Sequence, residues 1–481
     1  MSRPGITPIM VNFSLAMDRC TDNPLGPLLS ASLKPIMPTP PAILALLNPG
    51  RTSHHYMAGV VAGAEQLGLR CGRVDLASAW QAQKQGPAAY ASYAAELASW
   101  IKAQAFTHCI AYGHNAASLV SLESLTRPVG AEGVGPLTTQ LGLRNFMLWT
   151  DHPEWCVQGT PMDEPMRTVL RHPLHTHLLK SRAAAAEASE VLQWPGVLGM
   201  PVGEDVRAMT AAAGCSEPTF DAVIVVSDAA APTSESAAWL ADEDPDPAAI
   251  DRAHLPLALG AARKAVNASQ GGSDRWPALE PLIATLLEAK VQQPRRSFWT
   301  LSKGLGNPEP LVWAKSSPRR WYGLIGGLRR MVNWRRNFWP AWLARRVKLG
   351  VFGCDATSWG VEQSEAQRSW VDYGSLRQAF TSGRCVVSVN AGHDEEGVTH
   401  KPFQIAASGS VLVHHATSEL EEYLESGREC LLFSRGPELL GHVRACGDDA
   451  FRRAMADAGL ARCTRDHTWA SRVASMLAYE G

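Results

Sequence analysis

The sequence predicts an α/β chain built from two parallel-sheet domains, and three observations carry that expectation. Short apolar runs bounded by Gly, Asn or Ser recur at residues 42–47, 107–112, 145–149, 221–227, 348–353, 385–389 and 411–415. Strands buried on both faces read as continuous apolar runs of this kind, whereas half-exposed antiparallel strands alternate apolar and polar residues. Between the runs lie stretches with helical apolar spacing. The chain has 481 residues, 46% of them hydrophobic and 19% charged, enough to bury two cores rather than one.

Composition also narrows the partners. A formal net charge of −1 gives no global attraction to nucleic acid. Ten cysteines are scattered without CxxC pairing, several inside strand runs, and read as reduced core thiols of a cytoplasmic protein; neither a disulfide frame nor a zinc site is expected. The first residues lack a charged segment followed by an apolar one, so no secretory signal is expected. No apolar run approaches the ~18 residues of a membrane-spanning helix.

In chain order, residues 1–40 are rich in Pro, Ser and Met without periodicity and read as an irregular arm. The first domain then spans 41–215. Its opening strand, 42–47, runs into Asn48-Pro-Gly-Arg-Thr-Ser53 and a helix from about His54 to Leu67, a βα unit that can hold an anion or can simply need glycine for its turn. Strands follow at 70–76, 107–112 and 145–149, the last ending in Thr150-Asp-His-Pro-Glu-Trp155. Polar clusters at strand ends line a cleft in such sheets. Asp151 and His152 are therefore candidates for acceptor-side acid or base, a carboxylate beside an imidazole tuning its pKa; Asp151 before His152-Pro153 is equally a turn former. The cluster from His172 to His177 has neither helical spacing nor accompanying carboxylates, and reads as a Pro-broken loop with surface histidines rather than a metal site.

The second domain spans 216–481 and opens with the strand at 221–227. Residues 228–251 are acidic and Pro/Ala-rich and read as a solvated loop, and 254–293 as helix. Residues 295–348 differ in kind, with thirteen Lys/Arg against one acidic residue, Glu309, and six tryptophans. That composition suits an interfacial helix on an anionic membrane. It suits equally a helical insertion whose aromatics pack inward while its arginines are solvated or bind a diphosphate. After it come the strand 348–353 with Gly353, the strand 385–389, and a polar loop from Asn390 to Thr399 leading into a helix near His400. In open α/β sheets ligands bind beyond the carboxyl ends of the strands, and that loop occupies such an end.

Here the chain resembles a known family. The loop, then Thr399-His-Lys-Pro-Phe-Gln-Ile-Ala-Ala-Ser-Gly-Ser-Val-Leu-Val413, then Leu420-Glu-Glu-Tyr-Leu-Glu-Ser-Gly-Arg-Glu-Cys430 and His467-Thr-Trp-Ala-Ser-Arg472, is similar in content and order to the C-terminal half of CgeB-like spore maturation glycosyltransferases. The resemblance implies a GT-B-like fold: two Rossmann-like domains facing across a cleft, with the final helix, 467–480, packing back on the first. It implies a nucleotide-diphosphate sugar as donor substrate, an unidentified acceptor, no cofactor and no required metal. Retaining GT-B enzymes carry two Glu separated by seven residues, and the pattern falls on Glu396, by the transferred sugar, and Gln404, by the ribose. Gln in place of Glu is a departure, because an amide accepts without charge assistance. Lys401 is the candidate diphosphate cation, with a solvated first-turn lysine as the alternative, and Gly353, Asn390, Gly392 and Gly409 are the expected donor-side backbone. The departure at Gln404 leaves open a non-catalytic nucleotide- or carbohydrate-binding protein; a nucleotide-sugar epimerase needs further cleft carboxylates that the sequence does not place.

Overall fold

The computed structural model describes residues 41–47, 50–113, 135–150, 152, 164–215 and 217–479. Two parallel sheets organise it. The first contains β1 (Ala42–Leu47), β2 (Arg70–Asp75), β3 (His108–Tyr112), β4 (Arg144–Trp149), β5 (His175–Leu179) and β6 (Gly196–Gly199) in the order β2-β1-β3-β4-β5-β6. The second contains β7 (Phe220–Val225), β8 (Leu349–Phe352), β9 (Gly383–Ser388), β10 (Leu412–His415) and β11 (Leu431–Phe433) in the order β11-β10-β9-β7-β8. Each sheet reverses its winding beside its first strand, between β1 and β3 and between β7 and β9. Those reversals open crevices at the carboxyl ends, where doubly wound sheets take their ligands.

One expectation fails inside the first sheet. The histidine-rich stretch is not a surface loop: His175 and His177 belong to the fully buried strand β5. The pattern hid it because two histidines interrupt a five-residue run, yet each ring has partners inside. His177 accepts from Trp149 Nε1 at 3.1 Å, places Nε2 2.8 Å from the Leu170 carbonyl and stacks on Trp194 at 3.8 Å. Burial holds this imidazole down to about 3, so it is a neutral core residue.

Between β7 and β8 the chain makes a helical insertion, including Leu255–Asn267, Gly272–Gln292, Phe298–Lys303, Pro318–Leu328 and Arg335–Ala344. Its composition left two readings open, and the burial of four of its six tryptophans fits the inward-packing one. Trp321, Trp334, Trp339 and Trp342 are at most 2% exposed. An interfacial helix presents its indoles to the headgroups; these four face inward. Trp321, Leu324 and Leu328 join the core under the first sheet with Leu44, Met147 and Leu179, and Trp339 and Trp342 join the second core with Val351, Val413 and Phe433. The insertion therefore wedges both domains together. Within the insertion Gly327 lets two helices pack closely, since a Cβ there would lie 2.6 Å from the Ala262 backbone nitrogen. Among the described residues no helix is long and apolar enough to cross a membrane.

The chain crosses between domains twice. Residues 200–206 lead out, and the final helix, Trp469–Ala478, returns to pack on the first-domain helix Arg51–Gln66. The crossings are bonded together: Glu204 N donates to the His467 carbonyl at 2.9 Å and Trp469 N to the Glu204 carbonyl at 3.3 Å.

Candidate functional site

The loop between β9 and the helix Lys401–Ala407 is where the two domains and the insertion meet. Asn390, just beyond the end of β9, closes the loop on itself by donating from Nδ2 to the carbonyls of Asp394 and Gly397, both at 3.0 Å. Gly392 lies against the insertion so closely that a Cβ would sit 1.6 Å from Asn333 Oδ1. At Gly397 a Cβ would lie 2.6 Å from that of Ser181 in the first domain.

Three consecutive carboxylates in this loop face three different parts of the chain. Asp394 pairs at 2.7 Å with Lys180, just past the end of β5. Burial alone would raise its pKa, but Lys180 and His393 outweigh that and hold it below the usual carboxylate range. Glu395 pairs with Lys290 at 2.7 Å and Arg329 at 3.2 Å, both from the insertion. Glu396 accepts from Ser297 N at 2.8 Å and from the Thr300 hydroxyl, with Ser418 Oγ at 3.3 Å and Arg296 at 3.4 Å. A carboxylate offers about four acceptor positions, and Glu396 uses that capacity on the first turn of Phe298–Lys303. The expectation places this side chain by a transferred sugar; in this conformation it faces the insertion.

His152 lies against this assembly, its Nε2 3.3 Å from Glu187 Oε2 and 3.5 Å from Arg329. Glu187 also accepts from Trp321 Nε1 at 2.6 Å. Asp151, the partner expected for His152, lies outside the described residues. Between the domains, His152, Lys180, Glu187, Arg329, His393 and Asp394 border a cavity of about 20 Å³, room for a single water. Small-molecule sites run to several hundred Å³, so a sugar would enter here only if the walls separated. A further clamp lies beside it. Glu419 accepts from Ser181 Oγ and Arg182 N at 3.0 Å and Ala183 N at 3.3 Å, so a second-domain carboxylate caps the first-domain helix Arg182–Val191.

The remaining expected donor-side residues divide by position. Gly353 ends β8 with φ +98°, its N–H donating to the Gln367 carbonyl at 2.8 Å, and so stands at the ligand end of the sheet. Lys401 stands there too, half-buried, its ammonium donating to the Val225 carbonyl at the end of β7 at 2.7 Å. Burial pushes it down to about 8, with Arg336 adding to that and Asp228 opposing it. Gln404 is buried along the helix Lys401–Ala407. Gly409 stands apart from them: with φ +76° it follows that helix and leads into the amino end of β10, the end of the sheet away from the crevice.

Sequence reading missed Lys180, Glu187, Lys290, Arg329, Asp394 and Glu395. The acidic run itself was a signal, three carboxylates in one short loop; its partners come from distant parts of the chain that no local pattern joins.

The contacts of Glu396 make a prediction. Glu396→Gln places an amide N–H₂ among donors and weakens the cap, lowering stability by about 1–2 kcal/mol in urea titration and leaving nucleotide affinity unchanged. Unchanged stability with transfer slowed about 10²–10³-fold would instead put the carboxylate at the sugar.

Residues 330–478 match a family model described as "Glycosyl transferase-like". No curated protein matches the chain. Among solved structures, the chain is similar to a glycosyltransferase from Rickettsia africae (8% identity, TM-score 0.41, covering 91% of this chain and 97% of that one). It is also similar to sucrose-phosphate synthase from Thermosynechococcus elongatus (10%, 0.39, 91% and 98%) and to Alr3699/HepE from Anabaena in complex with UDP and glucose (11%, 0.38, 91% and 98%).

Proposed function

We propose that this protein is a glycosyltransferase of the GT-B and CgeB-like type, moving a sugar, in our reading a hexose, from a nucleotide-diphosphate donor to an acceptor. The observation that carries the proposal is the glycosyl transferase-like match over 330–478, which contains β8, the β9 loop and the helix at Lys401, the elements around the β7/β9 crevice. In this reading the diphosphate lies beyond the ends of β7, β8 and β9, near Gly353, Asn390 and Lys401, with Gln404 on the ribose side. Developing charge on the leaving diphosphate is met by protein cations, an electrostatic form of catalysis that needs no resident metal. Eight free thiols among the described residues accord with a reducing, cytoplasmic setting.

A second reading is favoured by a specific observation. Glu396 is engaged by the insertion and by Ser418, and Gln404 stands where the family pattern has Glu; both suit a protein that binds a nucleotide sugar without turning it over.

The test uses the full chain with UDP, GDP, ADP and dTDP, then the matching sugar donors with EDTA present. At least one nucleotide stabilises the fold by roughly 2.7 kcal/mol at a hundredfold excess over Kd, and a donor releases its nucleoside diphosphate with transfer of the sugar. Binding without transfer moves the assignment to the second reading, and absence of binding by all four sinks both.

A further inference from the structure

We infer that Arg336, carried to the crevice by the helical insertion, is the cation that grips the diphosphate, and that Asp228 occupies its guanidinium as an internal anion until the ligand arrives; this rests on the nucleotide-sugar reading above. Asp228 follows β7 in the loop that opens the β7/β9 crevice, and its carboxylate pairs with Arg336. Asp228 is 71% exposed and Arg336 31%, so both are open to solvent and exchangeable. An exposed pair of this kind contributes little to stability, which leaves the fold itself a weak reason for Arg336.

Its position in the helix points the same way. Arg335 and Arg336 open Arg335–Ala344, a first turn without acidic residues, where the helix dipole opposes positive charge. Arg335 is compensated inside the protein: it is buried against Asp251, which also accepts from Trp334 Nε1 at 2.8 Å. Arg336 points to the other side, toward the strand ends. There Lys401, anchored on the Val225 carbonyl, is close enough to Arg336 and Asp228 for their charges to act on it. Two cations thus converge on one crevice, which they share with the exposed carboxylates of Asp228 and Asp355, and it is Asp228 that pairs with Arg336. At the neighbouring strand ends, Asn390 Oδ1 and His414 Nε2 are buried without a hydrogen-bond partner, polar groups left open beside the same crevice.

A diphosphate suits this arrangement better than one carboxylate does. It carries more charge, and a guanidinium meets two of its oxygens at once, in the fork geometry lysine lacks. Exchanging Asp228 for diphosphate also frees that carboxylate to return to water, so the internal anion screens the site when empty and competes with the ligand when present.

The test is isothermal titration of the full chain with inorganic pyrophosphate and with UDP, GDP, ADP and dTDP. Arg336→Ala is expected to weaken pyrophosphate and nucleotide alike about ten- to a hundredfold, with thermal stability unchanged because the side chain lies at the surface. Arg336→Lys recovers only part of the loss, and Asp228→Asn tightens binding several-fold in the wild type but not beside Arg336→Ala. If the wild type binds a nucleotide and neither Arg336→Ala nor Asp228→Asn alters the affinity, this inference falls and the nucleotide-sugar reading stands. If pyrophosphate binds through Arg336 but no nucleoside diphosphate does, the anion site stands and the nucleotide reading falls. If the wild type binds neither, both fall.

Discussion

Replacing Glu395 with alanine lowers the stability of the folded chain by about 3–5 kcal/mol. Its carboxylate lies between Lys290 and Arg329, and the three side chains are 2%, 1% and 4% exposed. Removing it leaves two cations facing each other without water. They respond differently. Burial already holds Lys290 below the ordinary lysine value despite Glu395, so without the carboxylate it sheds its proton and limits its own cost. Arg329 cannot do this, because a guanidinium stays charged in proteins. The main penalty therefore sits on Arg329, and Lys290→Met, which leaves Arg329 its carboxylate, is expected to cost clearly less than Glu395→Ala. Urea midpoints at constant m-value measure both. A loss below about 1 kcal/mol for Glu395→Ala would mean that water reaches the triad and that the insertion is not clamped to the β9 loop as the distances imply.

That triad also shows why the sequence yielded one half of the site and not the other. The strand at 385–389, the polar loop and the helix near His400 are legible because each is local: an apolar run, a break and a helix start within a few residues of one another. The partners of Asp394, Glu395 and Glu396 are not, since Lys180 follows β5 while Lys290 and Arg329 belong to separate helices of the insertion. The sequence offered the acidic loop and the basic segment as two unrelated features. What joins them is charge neutralisation at an interface that exists only once both sheets have formed. The same limit applies to β5, whose histidines look polar until Trp149, Leu170 and Trp194 are in place, and to the half-buried edge strand β6, two of whose four residues are glycine. The basic, tryptophan-rich segment had an ambiguous composition, and the inward direction of four of its six indoles becomes visible only once the cores they join have formed.

Trp469→Ala is expected to cost about 3–5 kcal/mol, and the loss should appear in the first domain although the residue lies near the end of the chain. The indole is 2% exposed and packs with Ile43, Tyr56, Met57 and Val60. Its seat is made of glycine: a Cβ at Gly59 would lie 2.1 Å from the indole Nε1, and Cβ atoms at Gly63 and Gly203 would lie 2.6 and 2.7 Å from Trp469 backbone atoms. The ring nitrogen has no hydrogen-bond partner, so alanine removes packing alone and leaves a cavity between rigid backbones that cannot collapse into it. Hydrogen exchange locates the damage: β1 and Arg51–Gln66 lose protection while β9 and β10 keep theirs, because the second sheet has its own core. The paired crossings should loosen with the first domain, since Trp469 N and the His467 carbonyl hold Glu204 on the outward one. Unchanged exchange in β1 with loss confined to β9 and β10 would show that the final helix serves the second domain, and that the crevice is not held at its present width by this return of the chain.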